Sequence, residues 1–226
     1  NPLSHKYNGL DSIKWLPNKF IAHQVVIQEK LHGTNARASI LPYAATTLKK
    51  KILQFLRLAP KNENCYGSNN VQLSNTFLYN GYYDTNVYAE AAVKYDLKNK
   101  LQHGEVIYGE VYGDSIQKDY TYGCKVGEHK FVAFDLKRNG KYIDSTDFFT
   151  WTKEKDIPAV PILFEGKFKD VIIEEIVIGN SVMVPKQNVR EGVVVRSPIE
   201  TTTFAGRKVL KAISPEYLMK DNTDFH

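Results

Sequence analysis

The chain has 226 residues, 42% of them apolar, enough for one sizeable domain with its own core and too few for two large ones. Lys and Arg number 30 against 25 Asp and Glu, a formal charge of +5 that suits a phosphate-bearing partner without requiring one. Cys65 and Cys124 lie far apart without ligand spacing, which excludes a disulfide framework or a zinc site; no apolar run approaches the roughly 18 residues of a membrane span, and residues 1–20 lack a secretory pattern, so a cytoplasmic protein with no membrane partner is expected.

Residues 24–30 read as a strand, with Val25, Ile27 and Glu29 on one face and Val26, Gln28 and Lys30 on the other. His32-Gly33-Thr34 then turns the chain and 36–41 alternates again, so a hairpin with a polar tip is expected, placing Lys30 at a strand end beside a loop. Over 46–58, Leu48, Ile52, Phe55 and Leu56 recur at helical spacing, with Lys49, Lys50 and Lys51 on the remaining face and Arg57 and Lys61 close behind; such a run is ordinarily a solvated helix face. A second helix is expected from about 85 to 101, where Val87, Tyr88, Ala91, Ala92 and Tyr95 form a stripe. Strands are expected at 106–112, 131–136, 162–165, 192–196 and 208–213, with a helix at 169–178, and residues 218–226 turn polar. The fold class is α+β, with mainly antiparallel sheets flanked by helices, in a single domain over 1–226.

The central constellation is Glu29-Lys30-Leu31-His32-Gly33-Thr34-Asn35. Read by itself, it is a surface hairpin whose lysine is solvated and whose glycine supplies a positive φ. The K-x-H-G-x-N string nevertheless resembles motif I of the covalent nucleotidyltransferases, in the His-containing form of phage, viral and kinetoplastid-editing RNA ligases. DNA ligases and capping enzymes usually carry Asp where this chain has His32. Four further strings follow in the family's order: Tyr108-Gly109-Glu110-Val111-Tyr112-Gly113 resembles motif III, Phe131-Val132-Ala133-Phe134-Asp135-Leu136 motif IIIa, Glu191-Gly192-Val193-Val194-Val195-Arg196 motif IV, and Val209-Leu210-Lys211-Ala212-Ile213-Ser214 motif V. The resemblance covers nearly the whole chain.

It implies a nucleotidyltransferase (adenylyltransferase) fold without a complete C-terminal accessory domain, and an ATP-dependent RNA ligase working with Mg²⁺ or Mn²⁺. Lys30 would attack ATP to form lysyl-AMP, pass AMP to an RNA 5′-phosphate, and let a 3′-hydroxyl close the phosphodiester, with the enzyme acting as a monomer. A lysine amine is nucleophilic only when deprotonated, and an ordinary pKa of about 10.4 means that it needs desolvation or nearby cations. Lys211 would supply one such cation. The resemblance further assigns nucleotide contacts to Glu29, Leu31, His32 and Asn35 around the lysine. Glu110 and Glu191 would take the metal and organise the nucleotide, and Phe134 and Val194 would hold adenine, where stacking on an aromatic ring contributes about 1–3 kcal/mol. Asp135 is a further candidate.

Two departures stand out. Related ligases often carry a Ser-Arg pair downstream of motif I, whereas Ser68 is followed by Asn69; the second lysine common in motif V is replaced by Ile213, so one phosphate cation is either missing or provided by Arg207 or Lys208. Asn69, Lys118, Arg207 and Lys208 are the candidate RNA contacts. Gln117, Lys118, Tyr120 and Tyr122, within 113–123, suit a nucleic-acid end or equally a packed tyrosine loop. The alternatives are a DNA ligase, a capping guanylyltransferase, or an inactive nucleic-acid-binding module of the same fold.

Overall fold

The computed structural model describes residues 4–15, 20, 23–68, 72–73, 86–117, 119–184, 189–204 and 206–222. In chain order the strands are β1 (Asp11–Ser12), β2 (Gln24–Lys30), β3 (Thr34–Pro42), β4 (Asn62–Ser68), β5 (Gln72–Leu73), β6 (Glu105–Gly113), β7 (His129–Arg138), β8 (Lys141–Tyr142), β9 (Ile162–Lys167), β10 (Gly192–Arg196), β11 (Thr202–Thr203), β12 (Gly206–Arg207) and β13 (Val209–Ile213). The helices are α1 (Leu48–Phe55), α2 (Val87–Lys94), α3 (Leu97–Lys100), α4 (Ser145–Glu154), α5 (Ile173–Ile176) and α6 (Pro215–Asn222).

Two sheets dominate, which bears out the α+β class. One has strand order β1-β13-β10-β2-β9 and is antiparallel except where β1 runs parallel to β13; the other, β5-β4-β3-β6-β7-β8, is antiparallel throughout. Alternation along each strand sorts side chains between two faces. Val25 and Ile27 of β2 pack with Val193, Val195 and Leu210 on the outer face of the five-stranded sheet. Gln28 and Lys30 therefore face the cleft between the sheets. In β6, Ile107 and Val111 pack outward against Val87 and Tyr88 of α2 and Phe148 and Trp151 of α4, so that Glu110 is left on the cleft face.

The expected hairpin over 24–41 is not formed. β2 pairs with β10 and β9, β3 pairs with β4 and β6, and residues 31–33 carry the chain from one sheet to the other. Alternation reveals a strand but not its partner, and both strands turn out to be interior ones with a neighbour on each side. Gly33 serves this crossover by its smallness: its φ lies outside the left-handed region, and a Cβ there would collide with the carbonyl oxygen of Val111 and the Cγ of Glu110.

Two of three helical expectations are corrected. The helix anticipated over 85–101 breaks into α2 and α3 at Asp96, which adopts a left-handed φ of 51°. The helix anticipated over 169–178 reduces to a 3₁₀ turn at Phe168–Asp170 and the single turn α5, although Phe168, Val171, Ile173, Ile176 and Val177 pack on the core of the five-stranded sheet. The helix anticipated over 46–58 forms as α1, capped by the Thr47 side chain on the Lys50 N–H, yet none of its residues is buried. No helix among the described residues is long and apolar enough to cross a membrane.

Candidate active site

Strand register assembles the cleft. Gly192 of β10 pairs with Lys30, while Val194 pairs with Gln28 on one side and Lys211 on the other. Gln28, Val194 and Lys211 thus form a row across three adjacent strands, all aimed toward the six-stranded sheet, with Lys30 one step further along β2. From that opposite sheet, Asn35 of β3 pairs with Glu110 of β6, and Phe134 of β7 completes the wall. The resulting cavity is lined by Lys30, Leu31, Asn35, Glu110, Phe134, Val194 and Lys211, together with Arg196 and the N-terminal segment Tyr7–Leu10.

The lysine is held by a carboxylate. Lys30 Nζ donates to Glu191 Oε1 at 2.5 Å. The second oxygen, Glu191 Oε2, is buried without a hydrogen-bond partner and lies 4.0 Å from His32 Nδ1. Asn35 Oδ1 is likewise buried and unpartnered. Burial pushes the Glu110 carboxyl up to about 8; the nearby Glu191 charge adds to the rise, and Lys30 and the Gly33 N–H oppose it. Buried polar atoms are normally satisfied, so orphaned acceptors converging beside one lysine call for a ligand.

A divalent cation fits this donor set. Glu191 lies close enough to raise the proton affinity of Glu110, and a metal would reverse the balance that keeps a buried carboxyl protonated. Among the described residues no three His, Cys, Asp or Glu side chains form a metal cage. Mg²⁺ and Mn²⁺ are commonly held by one or two carboxylates with phosphate and water filling the remaining positions, and Glu110 and Glu191 would be those two.

The other expected site residues fall out unevenly. Leu31 is 3% exposed and packs with Tyr112, Val132 and Val160 at the cavity floor. Glu29 contributes to the cavity wall, but its carboxylate accepts the Val182 N–H at 2.9 Å; burial raises its pKa, which the Ser181 and Val182 hydrogen bonds partly offset. His32 stands beside the cavity in a tyrosine cage: its N–H donates to Tyr122 Oη at 2.8 Å, its Nδ1 lies 2.9 Å from Tyr217 Oη, and its ring meets Tyr120 edge-on at 5.0 Å. The tyrosines of 113–123 accordingly pack on motif I.

Arg207 is corrected as an RNA contact. Its guanidinium donates to Glu200 Oε1 and Oε2 at 2.7 Å and to Asp135 Oδ2 at 2.9 Å, and it lies 3.3 Å over the Tyr142 ring. The charge of this half-buried guanidinium is already paired with two carboxylates. Asp135 is equally engaged, by Arg196, Arg207, the Tyr7 hydroxyl and the Leu136 N–H, so it fastens the two sheets rather than meeting a ligand. Lys208 is half-buried and sits 3.1 Å from His23, seven residues before Lys30 and hence about 23 Å away along β2. Asn69 and Lys118 lie outside the described residues. Sequence reasoning missed the Tyr7–Leu10 lining, for which no periodicity gave a signal, and Tyr217, which follows the last motif. It passed over Arg196, although that residue closes the fourth string.

A two-sheet fold with a lysine in the intervening cleft is the architecture of a nucleotidyltransferase, and residues 23–213 match the RNA ligase family model; the chain belongs to the RNA ligase family. Among solved structures it is similar to a Naegleria gruberi RNA ligase mutant with ATP and manganese, at 19% identity over 98% of this chain and a TM-score of 0.72. It is also similar to that ligase with pyrophosphate, at 20% identity over 99% and a TM-score of 0.71, and to another mutant with AMP and manganese, at 18% over 97% and 0.72. The chain spans 59% of the length of each of these solved chains. No curated protein matches it.

Proposed function

We propose that the chain is the adenylyltransferase core of an ATP-dependent RNA ligase, joining RNA 5′-phosphate and 3′-hydroxyl ends. The observation that carries this reading is Lys30, on the last residue of β2, facing a cleft that combines an adenine-sized apolar wall with unpaired acceptors and a second lysine. Phe134 and Val194, from opposite sheets, receive the base, and Asn35 and Glu110 receive the sugar and organise the phosphates. The Lys30 ammonium turns from Glu191, gives up its proton to solvent water and, as the free amine, attacks the α-phosphorus of ATP. A P–N bond forms, the P–O bond to the β-phosphate breaks, and pyrophosphate leaves. Lys211, two strands from Lys30 on the same cleft face, offsets charge gathering on the phosphate oxygens. A divalent cation held by Glu110 and Glu191 would neutralise the phosphates and favour departure of pyrophosphate.

The stored AMP then passes to an RNA 5′-phosphate, and attack by a 3′-hydroxyl releases it and closes the phosphodiester. The Naegleria ligase structures with ATP, AMP and pyrophosphate lend support by fold. Cys65, buried, and Cys124, half-buried, form no disulfide, which suits a reducing cytoplasm, and the reading takes the enzyme as a monomer.

The test is incubation with α-labelled ATP and, separately, α-labelled GTP with Mg²⁺, followed by denaturing electrophoresis, with Lys30→Ala as control. Label from ATP on the wild type alone is expected. Label from GTP would make the protein a capping enzyme, and label from neither would make it a nucleic-acid-binding module. RNA ends sealed in preference to nicked DNA would then separate the RNA ligase from a DNA ligase.

A further inference from the structure

Residues 43–61, which join β3 to β4 and contain α1, hold five cations, Lys49, Lys50, Lys51, Arg57 and Lys61, and no Asp or Glu. Setting these five aside leaves 25 Lys and Arg against 25 Asp and Glu, so one connection carries the formal +5 of the whole chain.

The helix presents this charge in an unusual way. Leu48, Ile52 and Phe55 share one stripe and are 75%, 49% and 86% exposed. Lys49, Lys51 and Arg57 are exposed as well. The side turned toward the protein is held instead by a polar contact, Lys50 with Glu63 of β4 at 2.5 Å, with the Lys50 ammonium 5.3 Å over the Tyr43 ring. A helix recruited for packing buries its apolar stripe; this one offers stripe and cations together to solvent.

We propose that the β3–β4 connection is a docking surface for the RNA strand, an inference that rests on the ligase reading. Phosphates meet Lys49, Lys51, Arg57 and Lys61, and an unstacked base lies on Phe55. Position supports RNA over other polyanions or a lipid surface. β3 runs without interruption from Asn35 in the cleft to Pro42, where the connection begins, a distance of about 23 Å. An RNA whose end lies beside Lys30 reaches α1 by following one strand of the six-stranded sheet. A bilayer gives the charge no reason to sit one strand length from the nucleophile, and a single helix of eight residues is a weak anchor.

The test measures binding of a fluorescent 5′-phosphorylated RNA across a salt series for the wild type, the Lys49→Ala/Lys51→Ala/Arg57→Ala triple variant and Phe55→Ser, alongside adenylylation by ATP alone. The triple variant is expected to bind at least tenfold more weakly at low salt and to flatten the slope of log affinity against log salt by about 2, as loss of three phosphate contacts to a single strand requires. Phe55→Ser is expected to weaken binding about tenfold with the slope unchanged, and both variants should keep wild-type adenylylation. Unchanged RNA affinity in both variants would overturn the proposal. So would flotation of the wild type with phosphatidylglycerol vesicles, or its self-association, lost in Phe55→Ser while RNA binding persists. A wild type that shows the expected RNA differences but takes no label from ATP would contradict the ligase reading and leave the docking surface standing.

Discussion

Two charged clusters lie between the sheets, and they differ in one respect that separates scaffold from chemistry. Around Asp135 both carboxylate oxygens are matched: two arginines, a tyrosine hydroxyl and a backbone N–H converge on one fully buried carboxylate, although the Arg196 Nε has no partner of its own. Around Lys30 the balance is left open, with one oxygen of Glu191 and the amide oxygen of Asn35 buried and unpaired, and Glu110 held toward its protonated form. The first carboxylate needs no further partner. In the proposed reaction, phosphate and metal complete the second cluster. Arg196 touches both, lining the cavity while its guanidinium binds Asp135 and the Phe134 carbonyl, so the Phe134 wall is fixed by the Asp135 cluster.

Substitutions on the two sides should diverge accordingly. Lys30→Ala should abolish adenylylation, a loss on the order of 10⁴-fold or more, since a covalent route has no substitute nucleophile. Its melting temperature should stay near that of the wild type. Asp135→Ala should do the opposite: removing one partner of a buried ion pair costs about 3–5 kcal/mol. At about 2–4 °C per kcal/mol, Tm falls by roughly 6 °C or more, and ATP binding weakens only through the loosened Phe134 wall. A Tm within a degree or so of wild type would show that the cluster does not fasten the sheets.

Glu110→Gln probes the open cluster through pH. The folded pKa of about 8 exceeds the ordinary 4.5, so the stability linked to this carboxyl is complete below about 4.5 and is lost as pH rises through about 8. Glutamine stays neutral throughout. The variant's Tm advantage should therefore grow between about pH 5 and pH 9, reaching a few degrees, while adenylylation falls. Equal Tm at both ends of that range would contradict the burial argument. The smallest effect is expected from Tyr217→Phe, which removes the hydroxyl beside His32 Nδ1 and keeps the ring packing. It should lower the adenylylation rate about threefold to tenfold with the ATP KM unchanged, the cost of one lost hydrogen bond of about 0.5–1.5 kcal/mol.

Much of the open cluster was legible in the sequence. Lys30, Asn35, Glu110, Phe134, Val194 and Lys211 each sit in a short string on a strand whose alternation could be read, and the structure brings all six to one cavity. What could not be read was pairing. Alternation over 24–41 is the same whether the two strands form a hairpin or part company into separate sheets, so the crossover at Gly33 emerged only from the register. β4 escaped notice because Asn-Glu-Asn-Cys-Tyr-Gly-Ser has neither alternation nor β-branched residues. α4 escaped because its Phe, Trp and Thr are indifferent helix formers, ordered there by burial of Phe148 and Trp151. Arg207 misled for a related reason: a charge next to a motif reads as available, and only its partners from distant segments reveal that it is bound.

The measurement that bears most directly on the account is a peptide map of the purified protein after incubation with ATP and Mg²⁺, read by mass spectrometry for acid-labile, phosphoramidate-linked AMP. One AMP on the peptide containing Lys30, discharged by added pyrophosphate, is the predicted result. AMP on another lysine, Lys211 included, or no adduct at all would contradict the claim that the unpaired cluster in the cleft is where the chemistry happens.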